Sequence, residues 1–248
     1  MVIKKTPEEI EIMRTGGKIL AEVFRVLEPE VKEGVNADYL DKLAESTIRK
    51  HGAEPSFLGY RGFKHSTCIS KNEEVVHGIP FPDKILYPGD IVSVDCGVYQ
   101  QGFHVDAART FRVGSVDKKV DDLVSVTQES FFEAIKEANP GNKLGAISNA
   151  LQKYVEARGY SVVRDLYSHG IGRELHEDPL IPNYGSRKAG IELEVGMTFA
   201  IEPMVNIGVY DVLTLPDKWT IITRDKKWSA HYENTICIGE AGAEVLTI

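Results

Sequence analysis

Five residues of this chain have the types and surroundings of a metal-ligand set: Asp95, Asp106, His169, Glu202 and Glu233. Each stands beside an apolar, strand-like run or a glycine-flanked turn. Asp95 closes Ile91-Val92-Ser93-Val94, and Asp106 closes Phe103-His104-Val105. Glu202 closes Thr198-Phe199-Ala200-Ile201, and Glu233 follows Ala230-His231-Tyr232. A carboxylate at the end of an apolar run is costly to bury unless a positive group neutralises it. Carboxylates gathered within about 4 Å would repel by roughly 4 kcal/mol per close pair at an effective dielectric of ~20. Two divalent cations would cancel that charge. The set therefore points to a dinuclear site of oxygen ligands with one imidazole.

The segment Ser168-His169-Gly170-Ile171-Gly172-Arg173-Glu174-Leu175-His176-Glu177 adds a second histidine to the first. Glycines after His169 let the backbone turn tightly. The spacing is not HExxH, so a zincin helix is excluded. An imidazole that joins a carboxylate cluster is a natural metal ligand, which is the reading for His169. For His176 the residues alone leave two roles open, metal ligand and substrate hydrogen-bond partner.

The elements that must position these groups repeat along the chain. Gly34, Gly52, Gly89 and Asp95 have counterparts 107 residues later in Gly141, Gly159, Gly196 and Glu202. A helical stripe, Tyr39, Leu40, Leu43, Ala44, Thr47 and Ile48, precedes Gly52. A matching stripe, Ala146, Ile147, Ala150, Leu151, Tyr154 and Val155, precedes Gly159. The pattern His104-x-Asp106 recurs as His231-x-Glu233. This reads as a duplication, with halves at roughly 1–115 and 116–248, each giving two carboxylates to one central site. Further helices are expected at about 7–28, with Thr6 as cap and Pro7 at the first position, and at about 118–138, capped by Asp117. Residues 52–89 read as turns and short strands, and 203–230 as a hairpin or long loop. No linker divides the chain, so 1–248 is read as one domain.

Composition limits the function classes. With 37 acidic and 29 basic residues the net charge is -8, which argues against a general nucleic-acid binder. The chain is 42% hydrophobic and 27% charged, ordinary for a globular protein with a substantial core. No apolar run is long enough for a membrane span, and the N-terminus lacks the plan of a signal peptide. Cys68, Cys96 and Cys237 form no CxxC pair, which suits a reduced, cytoplasmic protein.

Taken together, several segments resemble a type I methionine aminopeptidase. They are Asn72-Glu73-Glu74-Val75-Val76-His77-Gly78-Ile79-Pro80, Asp95-Cys96-Gly97, Gly102-Phe103-His104-Val105-Asp106, His169-Gly170-Ile171-Gly172 with His176-Glu177, Ala200-Ile201-Glu202-Pro203-Met204 and His231-Tyr232-Glu233. They stand in the family's order across the whole chain. The resemblance implies an α+β pita-bread fold: two pseudo-symmetric α/β halves around a central antiparallel sheet. Aminopeptidase P and prolidase share the five ligands, but they resemble chains with an additional N-terminal domain and favour Glu-Pro-Gly over Glu202-Pro203-Met204. Type II methionine aminopeptidases carry a helical insertion for which the 31-residue step from Glu202 to Glu233 has no room. Three positions depart from the family's pattern: Ser168 and Val105 stand where glycine is usual, and Asn234 where histidine is usual.

The resemblance implies roles residue by residue. Asp106 and Glu233 bridge two divalent cations, His169 and Glu202 complete one site, and Asp95 chelates the other. The cations activate water near neutral pH; Fe2+, Mn2+ or Co2+ suit the ligand set, and Zn2+ also fits. Glu202 shuttles the proton, His176 hydrogen-bonds the scissile carbonyl, and His77 contacts the peptide nitrogen or the bound amine. Tyr60, Phe63, Cys68 and Trp219 wall a methionine pocket, with Phe57 and Leu175 beside them. Cys68 reads as wall and not as nucleophile, because nothing nearby in sequence depresses its pKa. The implied activity is removal of initiator methionine from nascent polypeptide N-termini when the second residue is small, by a monomer with no obligate protein partner. The exposed-looking cluster Lys218, Arg224, Lys226 and Lys227 reads by default as a solvated loop; the resemblance adds transient docking on ribosomal RNA.

Overall fold

The computed structural model describes residues 2–248. The first half runs through α1 (Pro7–Leu27), α2 (Ala37–Lys50), β1 (Glu54–Pro55), β2 (Thr67–Lys71), β3 (Glu74–Val76), β4 (Ile91–Gln100) and β5 (Phe103–Arg112). The second half opens with α3 (Lys118–Ile135), α4 (Gly145–Glu156), β6 (Ser161–Val162), β7 (Tyr167–Gly170) and β8 (Glu177–Pro182). It continues with β9 (Thr198–Ile201), β10 (Met204–Asn206), β11 (Val212–Thr214), β12 (Ile221–Thr223), β13 (Ser229–His231), β14 (Glu233–Gly239) and β15 (Gly242–Val245).

Local chemistry accounts for the helix starts. The Thr6 hydroxyl accepts from the Glu9 N–H while the Glu9 carboxylate accepts from the Thr6 N–H, and Pro7 takes the first helical position. Asp117 caps α3 by accepting from the Lys119 N–H. The α2 stripe buries Leu40, Ala44 and Ile48. Tyr39, expected on that stripe, is instead 45% exposed, and its hydroxyl reaches Glu30. It lies in the first helical turn, directly above the Asn36 cap.

One nine-stranded sheet joins the halves. Its order is β1-β4-β5-β14-β9-β7-β8, with β2 also beside β4 and β15 also beside β14. The order β4-β5-β14-β9 reads the same from each half, with the β5–β14 pair at its centre. All of its pairings are antiparallel. A second sheet is β13-β10-β6 and a third is β11-β12-β3. The segment expected as a hairpin or long loop at 203–230 thus holds four short strands, with a β11–β12 hairpin that reaches back to β3 of the first half.

The helices cover one face of the sheet and leave the other for chemistry. Val98 and Val105 pack on Gly16 of α1, where an added Cβ would lie 3.3 Å from Val105. Val105 therefore fills a helix contact, which explains a side chain at a position where glycine is usual. Side chains alternate along a strand, so Asp95 and Asp106 point to the opposite face. Neither ends its strand as expected. β4 and β5 pair in unbroken register from Ile91–Arg112 to Gln100–Phe103, and both carboxylates lie in mid-strand. A dense ladder and a hydrophobic back face hold the strands past the charged residues. Two large cores result, one beneath α1 and α2 with β2, β4 and β5, the other between α3, α4 and β9, β10 and β14, beside a small third cluster of Val75, Val76, Val163 and Met204.

Candidate active site

Strand register gathers the five sequence-picked ligands. Ala108 is paired with Asp95 on one side and with Glu233 on the other, and Asp106 shares its face. Ala200 of β9 is likewise paired with His169 on one side and Thr235 on the other. Glu202 comes directly after β9. Its main chain is clamped from both ends: the Ser168 hydroxyl accepts from the Glu202 N–H at 2.9 Å, and the Asn183 amide donates to the Glu202 carbonyl at 2.9 Å. Ser168 itself donates to Asn183 Oδ1 at 3.1 Å. The serine at a usual glycine position thus takes part in placing Glu202. The Thr235 hydroxyl accepts from the Asp106 N–H and donates to the Asp106 carbonyl. Asn234 faces the helix side, where its Oδ1 accepts from Arg109 and Thr247, so it does not touch the Glu233 carboxylate.

The side-chain geometry is that of a cation cradle. Ligand atoms of Asp106, His169 and Glu233 lie within 4.8 Å of one another, as do those of Glu202, His231 and Glu233. His169 Nδ1 donates to the Gly170 carbonyl at 2.7 Å, which leaves Nε2 bare, 3.7 Å from Glu202 Oε1. Asp95 Oδ1 and Glu233 Oε1 are buried without hydrogen-bond partners among the described residues. Burial pushes the carboxyls up: Asp95 and Glu202 to about 7, with Asp106 raised well above the carboxylate range by burial and then by Asp95 and Glu202, and Glu233 likewise by burial and then by Asp106, Glu202 and Asp95. Orphaned carboxylate oxygens of one sign, with a bare imidazole nitrogen among them, fit divalent cations.

A cavity of ≈ 160 Å³ opens on this cradle and is lined by all five ligands. Phe57, Tyr60, Phe63, Cys68, Leu175 and Trp219 complete its walls, so every sequence-predicted pocket residue is present. The Phe63 and Trp219 rings meet at 4.9 Å between centroids. Burial first, then the charges of Asp95 and Asp106, raises the Cys68 thiol well above its ordinary value, in keeping with a wall. His77 and His176 also line the cavity. His77 is held at φ 57°, and the Gly78 that follows packs so tightly on Ile69 that a Cβ would lie 2.3 Å from its carbonyl oxygen. Burial lowers His77 to about 4. His176 Nδ1 lies 2.8 Å from the Tyr60 hydroxyl, and its ring stands 4.4 Å from that of His169. His176 is an exposed residue, yet its partial burial at the site, followed by the neighbouring His169, Arg61, His77 and His104, lowers it to about 3. Both imidazoles are neutral at pH 7.

Two further groups at the site, one lining the cavity and one behind the carboxylates, escaped the sequence reading. Arg61 stands at the cavity over the Tyr60 ring, in a 3-10 turn at Tyr60–Gly62 whose position no pattern announces. His231 is fully buried against Glu202 and Glu233. Its repeat counterpart His104 instead bonds the Ser56 hydroxyl at 2.9 Å, away from the cradle. Lys218, Arg224, Lys226 and Lys227 are exposed, and Lys227 pairs with Asp225.

Comparison with known proteins agrees with this geometry. Residues 11–240 match the family described as metallopeptidase family M24. A methionine aminopeptidase of Clostridium perfringens is 52% identical over 248 residues, covering 100% of this chain and 99% of that protein. The crystal structure of methionine aminopeptidase from Thermotoga maritima superposes with a TM-score of 0.98 at 47% identity, covering 100% of this chain and 99% of the other. A prolidase from Pyrococcus furiosus gives a TM-score of 0.80 at 26% identity over 99% of this chain but only 65% of its own. The architecture is the pita-bread fold shared by these enzymes, and the chain belongs to metallopeptidase family M24 and, within it, to the methionine aminopeptidases.

Proposed function

We propose that the protein hydrolyses the N-terminal methionine from nascent polypeptides when the second residue is small. The observation that carries this reading is the single cavity in which five ligands, two neutral histidines and a wall of aromatic, sulfur and aliphatic side chains converge. Asp95, Asp106, His169, Glu202 and Glu233 would hold two divalent cations there. When bound, they supply Lewis-acid activation of water and of the scissile carbonyl. Fe2+, Mn2+ and Co2+ match the donors, and Zn2+ fits as well.

The chain's own residues do the remainder. Glu202, placed by Ser168 and Asn183 and raised to about 7, takes a proton from water and returns it to the leaving amine. With Tyr60 donating to Nδ1, His176 keeps its proton on Nε2 and offers it to the carbonyl oxygen as negative charge develops. His77 meets the peptide nitrogen or the free amine. Asp95 marks the end of the site that receives the free α-amine, which restricts cleavage to a chain terminus. The unbranched methionine side chain lies against Phe63, Cys68 and Trp219. In this reading residues 1–248 act as one catalytic domain made of two related halves, a monomer in the cytoplasm.

A peptide panel tests the reading. Met-Ala-Ser and Met-Gly peptides are cleaved, Met-Leu-Ser is cleaved at least ~100-fold more slowly, and Ala-Pro peptides are untouched. Preferential cleavage of Ala-Pro peptides would replace it with an Xaa-Pro peptidase.

A further inference from the structure

His231 is the one buried histidine beside the cradle that the mechanism leaves unused. It is 1% exposed and sits at the end of β13, paired with Met204 of β10. Neither ring nitrogen has a hydrogen-bond partner among the described residues. Nε2 lies 3.6 Å from Glu202 Oε2 and 3.8 Å from Glu233 Oε2. Glu202 therefore stands between two imidazoles: Oε1 faces His169 and Oε2 faces His231.

The two histidines differ in where the proton must be. A ligating histidine gives its second N–H to an acceptor, as His169 does to the Gly170 carbonyl. His231 Nδ1 has no acceptor among the described residues, so a proton there would be a buried, unsatisfied donor. The acceptors all lie on the Nε2 side. A neutral His231 accordingly carries its proton on Nε2, which prevents that nitrogen from ligating a cation.

We propose that His231 is a positioning residue for Glu202: its Nε2–H donates to Glu202 Oε2 and turns Oε1 toward His169 and the cation cradle. The present 3.6 Å gap closes by a shift of well under ~1 Å, as contacts at reacting centres do when the site is filled. The first half of the molecule has no equivalent, because His104 is taken up by Ser56. The inference rests on the peptidase reading only for the proton transfer assigned to Glu202. The tautomer is a property of the protein whatever its substrate.

Long-range proton–nitrogen NMR of the histidine-labelled, Zn(II)-loaded protein reads the tautomer directly, with His231 assigned from its absence in His231→Gln. The expected result is a proton on Nε2 and a nitrogen unshifted by metal. A proton on Nδ1, or a metal-shifted Nε2, overturns the proposal and makes His231 a sixth ligand. In parallel, His231→Leu is expected to lower kcat on Met-Ala-Ser by about 10–100-fold with KM within a factor of about two, and His231→Gln, which keeps a donor, to restore most of it. Equal kcat in the wild-type and Leu proteins overturns it. The NMR result needs only the Gln variant to fold and not the Leu variant, and it is independent of whether peptides are cleaved.

Discussion

At the scale of single residues, the site is governed by carboxyl groups whose burial raises their pKa values toward neutrality. Asp95 and Glu202 are pushed up to about 7, burial being the main cause in both. Cations need the ionised form, so protons compete with them below about pH 7. Affinity for Mn2+ measured by calorimetry is expected to fall by about tenfold or more between pH 7.5 and pH 6, with proton release on binding. An affinity unchanged across that range would contradict the raised carboxyls. The five candidate ligands stood out in the sequence because a charged residue beside an apolar run must be neutralised by something if it is buried. His231 was visible in the repeat, but its role was not readable there. That role depends on Glu202 and Glu233, and Glu202 lies 29 positions away. Ser168 looked like a mere exception to a glycine position, and its bond to the Glu202 N–H required the fold to reveal it.

At the scale of elements, the loop between β7 and β8 is what presents His176, and the N-terminal segment holds it. Lys5 Nζ lies 2.5 Å from Glu177 Oε2, with side-chain exposures of 1% and 7%. Glu177 also accepts from the Arg173 N–H and, more weakly, from the Glu174 N–H. Gly172 admits the lysine, since a Cβ there would lie 2.2 Å from Lys5 Cε. Removing one partner of a buried pair typically costs about 3–5 kcal/mol. The backbone donors that remain on Glu177 place Lys5→Met at the lower end, about 3 kcal/mol by urea denaturation, with a raised KM from the loosened His176 loop. A loss under about 0.5 kcal/mol would show that the pair does not secure the loop. Caps and helical stripes made four helices readable in advance, because these are local signals. The four strands between 203 and 231 were not, because their partners β3 and β6 are remote in sequence. Mid-strand carboxylates also ran against the ordinary rule that charge ends a buried strand, and the cradle is the reason they persist.

At the scale of the whole molecule, the order β4-β5-β14-β9 puts both halves at one seam, where each contributes two carboxylates. The repeat of helix, strand and acid at 107 residues is in keeping with this arrangement, although its register broke before Glu233. Within a chain of net charge -8, Lys218, Arg224, Lys226 and Lys227 form a basic cluster in sequence and are each exposed, on the segment whose Trp219 lines the cavity. If that patch docks the protein on ribosomal RNA, neutralising all four residues is expected to reduce co-sedimentation with ribosomes severalfold at low salt. Undiminished co-sedimentation would make it a solvated loop. No helix among the described residues is long and apolar enough to cross a membrane.

The most direct test of the central claim is release of free methionine from Met-Ala-Ser by chelated protein titrated with Mn2+, Co2+ or Fe2+, beside an Asp106→Ala control. Release is expected to depend on added metal, to saturate near two cations per chain, and to fall by at least ~1000-fold in the control. No release with any metal, or equal release from Asp106→Ala, would contradict the claim.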